Sequence, residues 1–210
     1  MRTGTIYGIV LAGGLSRRMG GGDKALQILG GMSLLARVVA ALRPQCGGLV
    51  LNANGDPARL AEFDLPVTAD DVAGFKGPLA GILAGLDWIA AHHRDVEFAL
   101  SAPADTPFLP NDLGVRLKDA RVRNNAVTAC ASSGGRTHPL IALWPVAIRR
   151  DLRHALVEED MRKAGDFLQR YSRAIADWPG APFDPFFNVN KPGDLTEAES
   201  ILSGRETHIA

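Results

Sequence analysis

Two cysteines in 210 residues, Cys46 and Cys130, stand far apart and in no C-x-x-C or Cys/His spacing. That excludes a disulfide framework and signals neither a zinc site nor a redox pair, so both read as buried, reduced thiols. Charge of one sign is not in excess either. Lys plus Arg is 23 and Asp plus Glu is 23, and a chain of zero formal charge has no overall electrostatic footprint for a nucleic-acid backbone. Any polyanion must be met locally. Nowhere do ~18 apolar residues run together as a membrane span requires, and the apolar run at 6–12 enters glycines too soon for a signal-peptide core. The expectation is a cytoplasmic protein that engages neither nucleic acid nor membrane. Internal repeats, low-complexity tracts and linkers are also missing. With 46% hydrophobic and 22% charged residues, the chain can bury a sizeable core as one domain spanning 1–210.

Hydropathy then lays out an α/β alternation. The apolar run at 7–12 ends on Gly13 and Gly14, as a buried parallel strand feeding a tight loop does. A helical stripe at 33–42 stops before Pro44, and a β-rich run follows at 48–52. Asp56 and Pro57 open a short helix over 56–62, and 66–68 makes a brief strand. Residues 77–91 place Leu79, Ile82, Leu83, Leu86 and Ile89 on one helical face. Gly77, Gly81 and Gly85 recur on that helix, where interior glycines cost ~1 kcal/mol each, so either the sheet or a ligand approaches its backbone closely. A strand at 96–101 runs into a loop carrying Asp105, and 111–120 reads as a helix. Strands at 126–131 and 140–144 are joined through 133–138 as a hairpin or antiparallel edge. Helices at 147–159 and 161–171, a strand at 174–177, an amphipathic helix at 192–202 and a frayed tail from 204 complete the pattern. It is that of an α/β protein, a three-layer α/β/α sandwich around a mostly parallel, Rossmann-like sheet.

The stretch 11–24, LAGGLSRRMGGGDK, carries the most chemistry. Glycines directly after a strand turn backbone N–H groups onto an anion, and Arg17, Arg18 and Lys24 add positive charge while Gly20, Gly21 and Gly22 loosen the loop. A triphosphate needs this combination. Neither the Walker A pattern nor the G-x-G-x-x-G fingerprint is present. Asp105 lies just past a strand, between Pro103 and Pro107, at the edge where open α/β sheets bind ligands. On the residues alone an Asx-turn ahead of Thr106 and Pro107 is the favoured reading.

This stretch resembles the signature of the nucleotidyltransferases that join an NTP to a phosphorylated partner, and its RRMGG-x-DK form resembles that of the molybdenum cofactor guanylyltransferases. Further matches follow in order: Asn52-Ala53-Asn54, Asp70 ahead of Gly77–Gly81, Asp105-Thr106-Pro107, His138-Pro139 and Asn188-Val189-Asn190. They span about residues 6–200. The first motif is shared with sugar-nucleotide pyrophosphorylases and cytidylyltransferases, whereas the ordered set is far more specific.

The resemblance implies a nucleotide-diphospho-sugar transferase-like fold, with a nucleotide half over about 1–107 and a cofactor-substrate half over about 108–203. It implies transfer of GMP from GTP to molybdopterin-bound molybdenum cofactor, with Mg²⁺ as cofactor and transient contacts with cofactor-delivering or cofactor-receiving proteins. Leu11, Ala12 and Gly13 would seat the nucleotide, Lys24 and Arg17 would meet its phosphates, and Asn52 and Asp70 would make further GTP contacts. Asp105 would hold the metal, and His138, Asn188 and Asn190 would face the pterin. Asp71 adjoins Asp70 and competes with it for that role. A cytidylyltransferase using CTP on the same cofactor, a sugar-phosphate or isoprenoid-precursor nucleotidyltransferase, and a non-catalytic GTP-binding module are the alternatives.

Overall fold

The computed structural model describes residues 6–13, 23–72, 74 and 77–207. Strand β1 (Ile6–Leu11) opens the described chain. A 3-10 turn (Lys24–Leu26) leads into a small hairpin, β2 (Ile28–Leu29) and β3 (Met32–Ser33). Ser33 then caps helix α1 (Leu34–Leu42), its hydroxyl accepting from Ala36 N at 3.1 Å, as a serine ahead of an apolar stripe should. Strand β4 (Leu49–Asn52), a 3-10 segment (Pro57–Phe63) capped by Asp56 and strand β5 (Val67–Thr68) follow where the sequence places them. Helix α2 (Pro78–His92), strand β6 (Phe98–Pro103) and helix α3 (Leu113–Arg123) continue the alternation. Strands β7 (Thr128–Ser133) and β8 (Arg136–Pro145), helices α4 (Arg149–Val157) and α5 (Ala164–Leu168), strand β9 (Arg173–Trp178) and helix α6 (Pro192–Thr207) complete it.

Seven strands form one sheet in the order β5-β4-β1-β6-β8-β7-β9. Every neighbouring pair is parallel except the two that involve β8. Alternation along the strands feeds two cores. Ile6, Val10, Leu49, Leu51 and Leu100 face α1 and α3, while Tyr7, Ile9, Val50 and Ala99 face α2, α4 and α5. The result is the three-layer α/β/α sandwich. Among the described residues no helix is long and apolar enough to cross a membrane.

Close approach between α2 and the sheet explains two of its glycines. A Cβ at Gly85 would sit 2.7 Å from Ile9, and one at Gly81 would sit 2.1 Å from Asn52 Oδ1. The sheet presses on this helix at both glycines. Gly77 precedes it with φ 71°, a left-handed conformation that favours glycine.

The hairpin expected at 133–138 is present, turning through Gly134 and Gly135 at φ 54° and 76°, with both of its strands inside the sheet. Three boundaries need correction. Strand β8 begins at Arg136, not 140. Pro139 has no N–H for the ladder, and the register shifts between Cys130 and Ala131 accommodate it: His138 pairs with Ala131, whereas Ala142 pairs with Cys130. Helix α5 is only a turn or so long. Helix α6 continues to Thr207 instead of fraying from 204, anchored by buried Ala198 and by Leu195, Ile201 and Leu202 packed against Leu29, Leu34 and Phe108.

Candidate active site

The ends of β1, β4 and β6 converge because their pairing is parallel. Beyond each strand the backbone stays stitched, with Ala12 N donating to Asn52 O at 2.8 Å and Ala104 N to Leu11 O at 3.0 Å. The segment ahead of α6 joins the same edge through Val189 N, which donates to Asp105 O at 2.9 Å. Residues from both ends of the chain therefore reach one place. A cavity of about 410 Å³ opens there, lined by Leu11, Gly13, Asn52, Asp70, Asp105 and Asn188 among others.

Lys24 reaches the edge of this cavity through Asp105 and Asn190, which line it. Asp23 caps its 3-10 turn, accepting from Ala25 N at 3.1 Å. The Asp23 carboxylate is also paired with Arg59, whose Nη2 donates to Asn54 O at 3.1 Å. The turn that presents Lys24 is thus braced against the loop after β4. The Lys24 ammonium pairs with Asp105 Oδ2 and donates to Asn190 Oδ1 at 2.7 Å. Ala12 lines a small recess beside this pair.

Asp70 is fixed from two sides. Asn52 Nδ2 donates to its Oδ1 and Asn54 Nδ2 to its Oδ2, both at 2.9 Å, while Asp70 N donates to Asn54 Oδ1, also at 2.9 Å. Asp71, by contrast, points away and pairs with Arg153 at 2.6 Å. Of the two aspartates only Asp70 lines the cavity.

A second cavity, about 370 Å³, lies alongside and shares Pro103, Leu140, Asn188 and Asn190 with the first. His138 lines it, as do Arg136, Asp184, Phe186 and Phe187. His138 Nε2 lies 2.8 Å from Ser133 Oγ, which donates to Asp184 Oδ1 at 2.6 Å. Burial is the main influence on the imidazole and pushes its pKa down; Asp184 opposes the shift and Arg136 adds to it.

The expected site residues Leu11, Ala12, Gly13, Lys24, Asn52, Asp70, Asp105, His138, Asn188 and Asn190 are all gathered at these adjoining cavities. Arg17 lies outside the described residues, as do Arg18 and the rest of 14–22. Sequence reasoning overlooked three groups as members of the site. Asn54 had a signal, since it follows Asn52 at the spacing that puts two side chains on one face of an extended segment. Ser133 and Asp184 had none, because a serine beside Gly134 and an aspartate before Pro185 look like turn formers.

Asp105 Oδ1 is buried with no hydrogen-bond partner among the described residues, and Asn188 Oδ1 is another such atom. No group of three or more His, Cys, Asp or Glu side chains suited to a metal ion occurs among the described residues. A lone carboxylate with a spare buried oxygen fits a hard cation that takes its remaining ligands from phosphates and water.

The two cavities meet at the shared Asn188 and Asn190 wall, and Asp105, paired with Lys24, lines the first of them. With the glycine-rich stretch after β1 in the sequence, that arrangement suits a nucleotidyltransferase. The MobA-like NTP transferase domain model matches residues 8–174, and the chain belongs to that family. It is 63% identical over 193 residues to a molybdenum cofactor guanylyltransferase of Rhodopseudomonas palustris strain BisB5, covering 92% of each chain. A second relative of that description, from Bradyrhizobium sp. strain ORS 278, is 56% identical over 96% of this chain and 95% of its own. A crystal structure of molybdopterin-guanine dinucleotide biosynthesis protein A from Archaeoglobus fulgidus superposes with a TM-score of 0.72 at 25% identity, over 95% of this chain and 100% of that one.

Proposed function

We propose that the protein transfers GMP from GTP to molybdopterin-bound molybdenum cofactor, giving the guanine dinucleotide form and pyrophosphate. The observation that carries this reading is the pair of adjoining cavities with Lys24 and Asp105 beside them, in a chain 63% identical to a molybdenum cofactor guanylyltransferase.

In this reading GTP lies in the first cavity and the cofactor phosphate enters from the second. A phosphate oxygen of the acceptor attacks the α-phosphorus of GTP as the bond to the pyrophosphate oxygen breaks. The acceptor monoester has a second pKa near ~6 and is already largely dianionic at neutral pH, so the site needs no general base. Alignment of two anions and relief of their charge are the whole task. Leu11, Ala12 and Gly13 offer backbone to the nucleotide, Asp70 reads it from a fixed position beside Asn52, and Lys24 neutralises phosphate charge together with Arg17. Asp105 would hold Mg²⁺ through its unpartnered oxygen, and the ion would supply further charge neutralisation on the phosphates. His138, Asn188 and Asn190 face the acceptor. Residues 1–107 act as the nucleotide half and 108–203 as the cofactor half. We place the enzyme in the cytoplasm, in transient contact with proteins that deliver or receive the cofactor.

Thermal stability with Mg²⁺ and each of GTP, CTP, ATP, UTP and dTTP tests the nucleotide assignment. A ligand at ~100 times its dissociation constant adds ~2.7 kcal/mol. Stabilisation by GTP alone is expected, followed by GTP-dependent formation of the dinucleotide and pyrophosphate; stabilisation by CTP alone would transfer the protein to the cytidylyl reading.

A further inference from the structure

The wall of the second cavity carries a hydrogen-bond chain for which phosphoryl chemistry has no use. Ser133 Oγ stands between Asp184 Oδ1, at 2.6 Å, and His138 Nε2, at 2.8 Å. A hydroxyl has one proton, and an ionised carboxylate can only accept. The proton of Ser133 therefore goes to Asp184, and the contact with His138 must be made by Nε2–H. A neutral imidazole with its proton on Nε2 leaves Nδ1 as an acceptor. Burial favours that neutral form.

Asp184 Oδ1 is occupied twice, since it also accepts from Phe186 N at 2.8 Å. Its Oδ2 accepts from no described residue, and His138 Nδ1 has no partner among them. Two acceptors thus remain on one cavity wall, tied to the same serine. The ring of Phe186 packs 4.9 Å from that of His138, so the acceptors sit beside a flat apolar surface. Arg136 lines the same cavity, but the two open acceptors themselves offer a phosphate only the negative charge of Asp184 and a lone pair. A planar heterocycle that offers a ring N–H next to an exocyclic amine would satisfy both acceptors, as guanine-like edges do.

We propose that Asp184 and His138, locked together by Ser133, read the hydrogen-bond-donor edge of the heterocycle in the acceptor substrate. This rests on the guanylyl-transfer reading, in which that heterocycle is the pterin. It also orients the acceptor. The ring lies against Asp184 and His138, and its phosphate end points toward the shared Asn188 and Asn190 wall and the GTP site.

Two fluorescent rings separate the possibilities: 6-hydroxymethylpterin, which has the exocyclic amine, and 6-hydroxymethyllumazine, which carries an oxygen in its place. The wild-type protein, titrated with each, should bind the pterin at least tenfold more tightly. Asp184→Asn, whose amide can donate, should lose roughly tenfold to a hundredfold in pterin affinity, the range expected for a hydrogen bond to a charged group, and the preference for pterin over lumazine should collapse or invert. Ser133→Ala should weaken pterin binding through loss of the lock. Stabilisation by GTP should survive in both variants, showing that they fold. The ¹⁵N spectrum of the His138 ring, assigned with His138→Gln, should show the proton on Nε2.

A protein that is stabilised by GTP but binds the two rings equally, or binds neither, would overturn the proposal and leave the transfer reading standing. So would unchanged pterin affinity in Asp184→Asn, or a proton found on Nδ1. A protein that prefers the pterin as described but forms no dinucleotide would instead overturn the transfer reading alone.

Discussion

Lys24 Nζ donates to Asn190 Oδ1 at 2.7 Å across 166 positions of sequence, closing the site between its first loop and its last segment. The same ammonium is paired with Asp105. The Lys24 ammonium is thus shared between a carboxylate and an amide. In the proposed reaction, phosphates compete with Asp105 Oδ2 for Lys24, and a metal ion on the unpartnered Oδ1 loosens the same pair. Nucleotide and metal are expected to assist each other's binding.

Lys24→Ala removes the charge proposed to meet the phosphates while leaving the braced turn of Asp23 and Arg59. Its KM for GTP should rise roughly tenfold to a hundredfold, as loss of a charge-assisted contact implies, with an unchanged circular dichroism spectrum. Unaltered steady-state kinetics would remove Lys24 from the reaction.

Asp105→Asn keeps an acceptor oxygen for Lys24 and the size of the side chain, but not the negative charge a divalent ion needs. Metal-dependent turnover should disappear while the melting temperature stays within a few degrees. Normal turnover with magnesium would show that the ion is held elsewhere.

Gly81→Ala and Gly85→Ala add the same methyl group one turn apart on α2 with different consequences. At Gly81 the new Cβ would stand 2.1 Å from Asn52 Oδ1, so the amide that holds Asp70 must move and the KM for GTP should rise. At Gly85 it would meet Ile9 at 2.7 Å, an overpacked core that costs about 1–3 kcal/mol. Urea denaturation together with GTP kinetics distinguishes them: Gly85→Ala should lose stability and keep its KM.

The lowered pKa of His138 makes a signed prediction for folding. Unfolded histidine titrates near ~6.5, so below that pH the unfolded chain takes up a proton that the native chain resists. Stability therefore falls as pH drops through the interval between the unfolded value and the lower native one, and the loss is complete below the latter. Urea midpoints measured from pH 7.5 to 5 should decline less in His138→Gln than in the wild type.

Burial pushes the Cys46 thiol up to about 12 and Cys130 to about 11. Neither forms appreciable thiolate at neutral pH, the species that reacts. Iodoacetamide at pH 7.5 should label the native protein far more slowly than the urea-unfolded chain. Rapid labelling of native Cys46, the half-buried one, would contradict this.

Much of the fold was legible because a parallel sheet covered on both faces writes itself as short unbroken apolar runs between helical stripes. Leu49–Asn52 and Phe98–Pro103 are such runs. Strand β8 was partly hidden because Pro139 resembles a stop, and only the register shift opposite Cys130 and Ala131 shows how the sheet absorbs it. The site residues at or just past strand ends, Asn52 and Asp105 among them, were legible from position and resemblance. Asp184 was not, since its part depends on tertiary contacts with Ser133 and Phe186, and no local spacing encodes those.

Strand β8 runs against all its sheet-mates, so its beginning, not its end, lies beside the C-terminal end of β6. The turn at Gly134 and Gly135 that feeds it is therefore a tuning point. Residues gained or lost there would reshape the pocket around His138 while the parallel strands carrying Gly13, Asn52 and Asp105 kept their places. If the proposed roles hold, the two specificities are separable: the residues offered to the nucleotide stand at the ends of parallel strands, while the acceptor cavity is built from the reversed strand and the 184–190 segment.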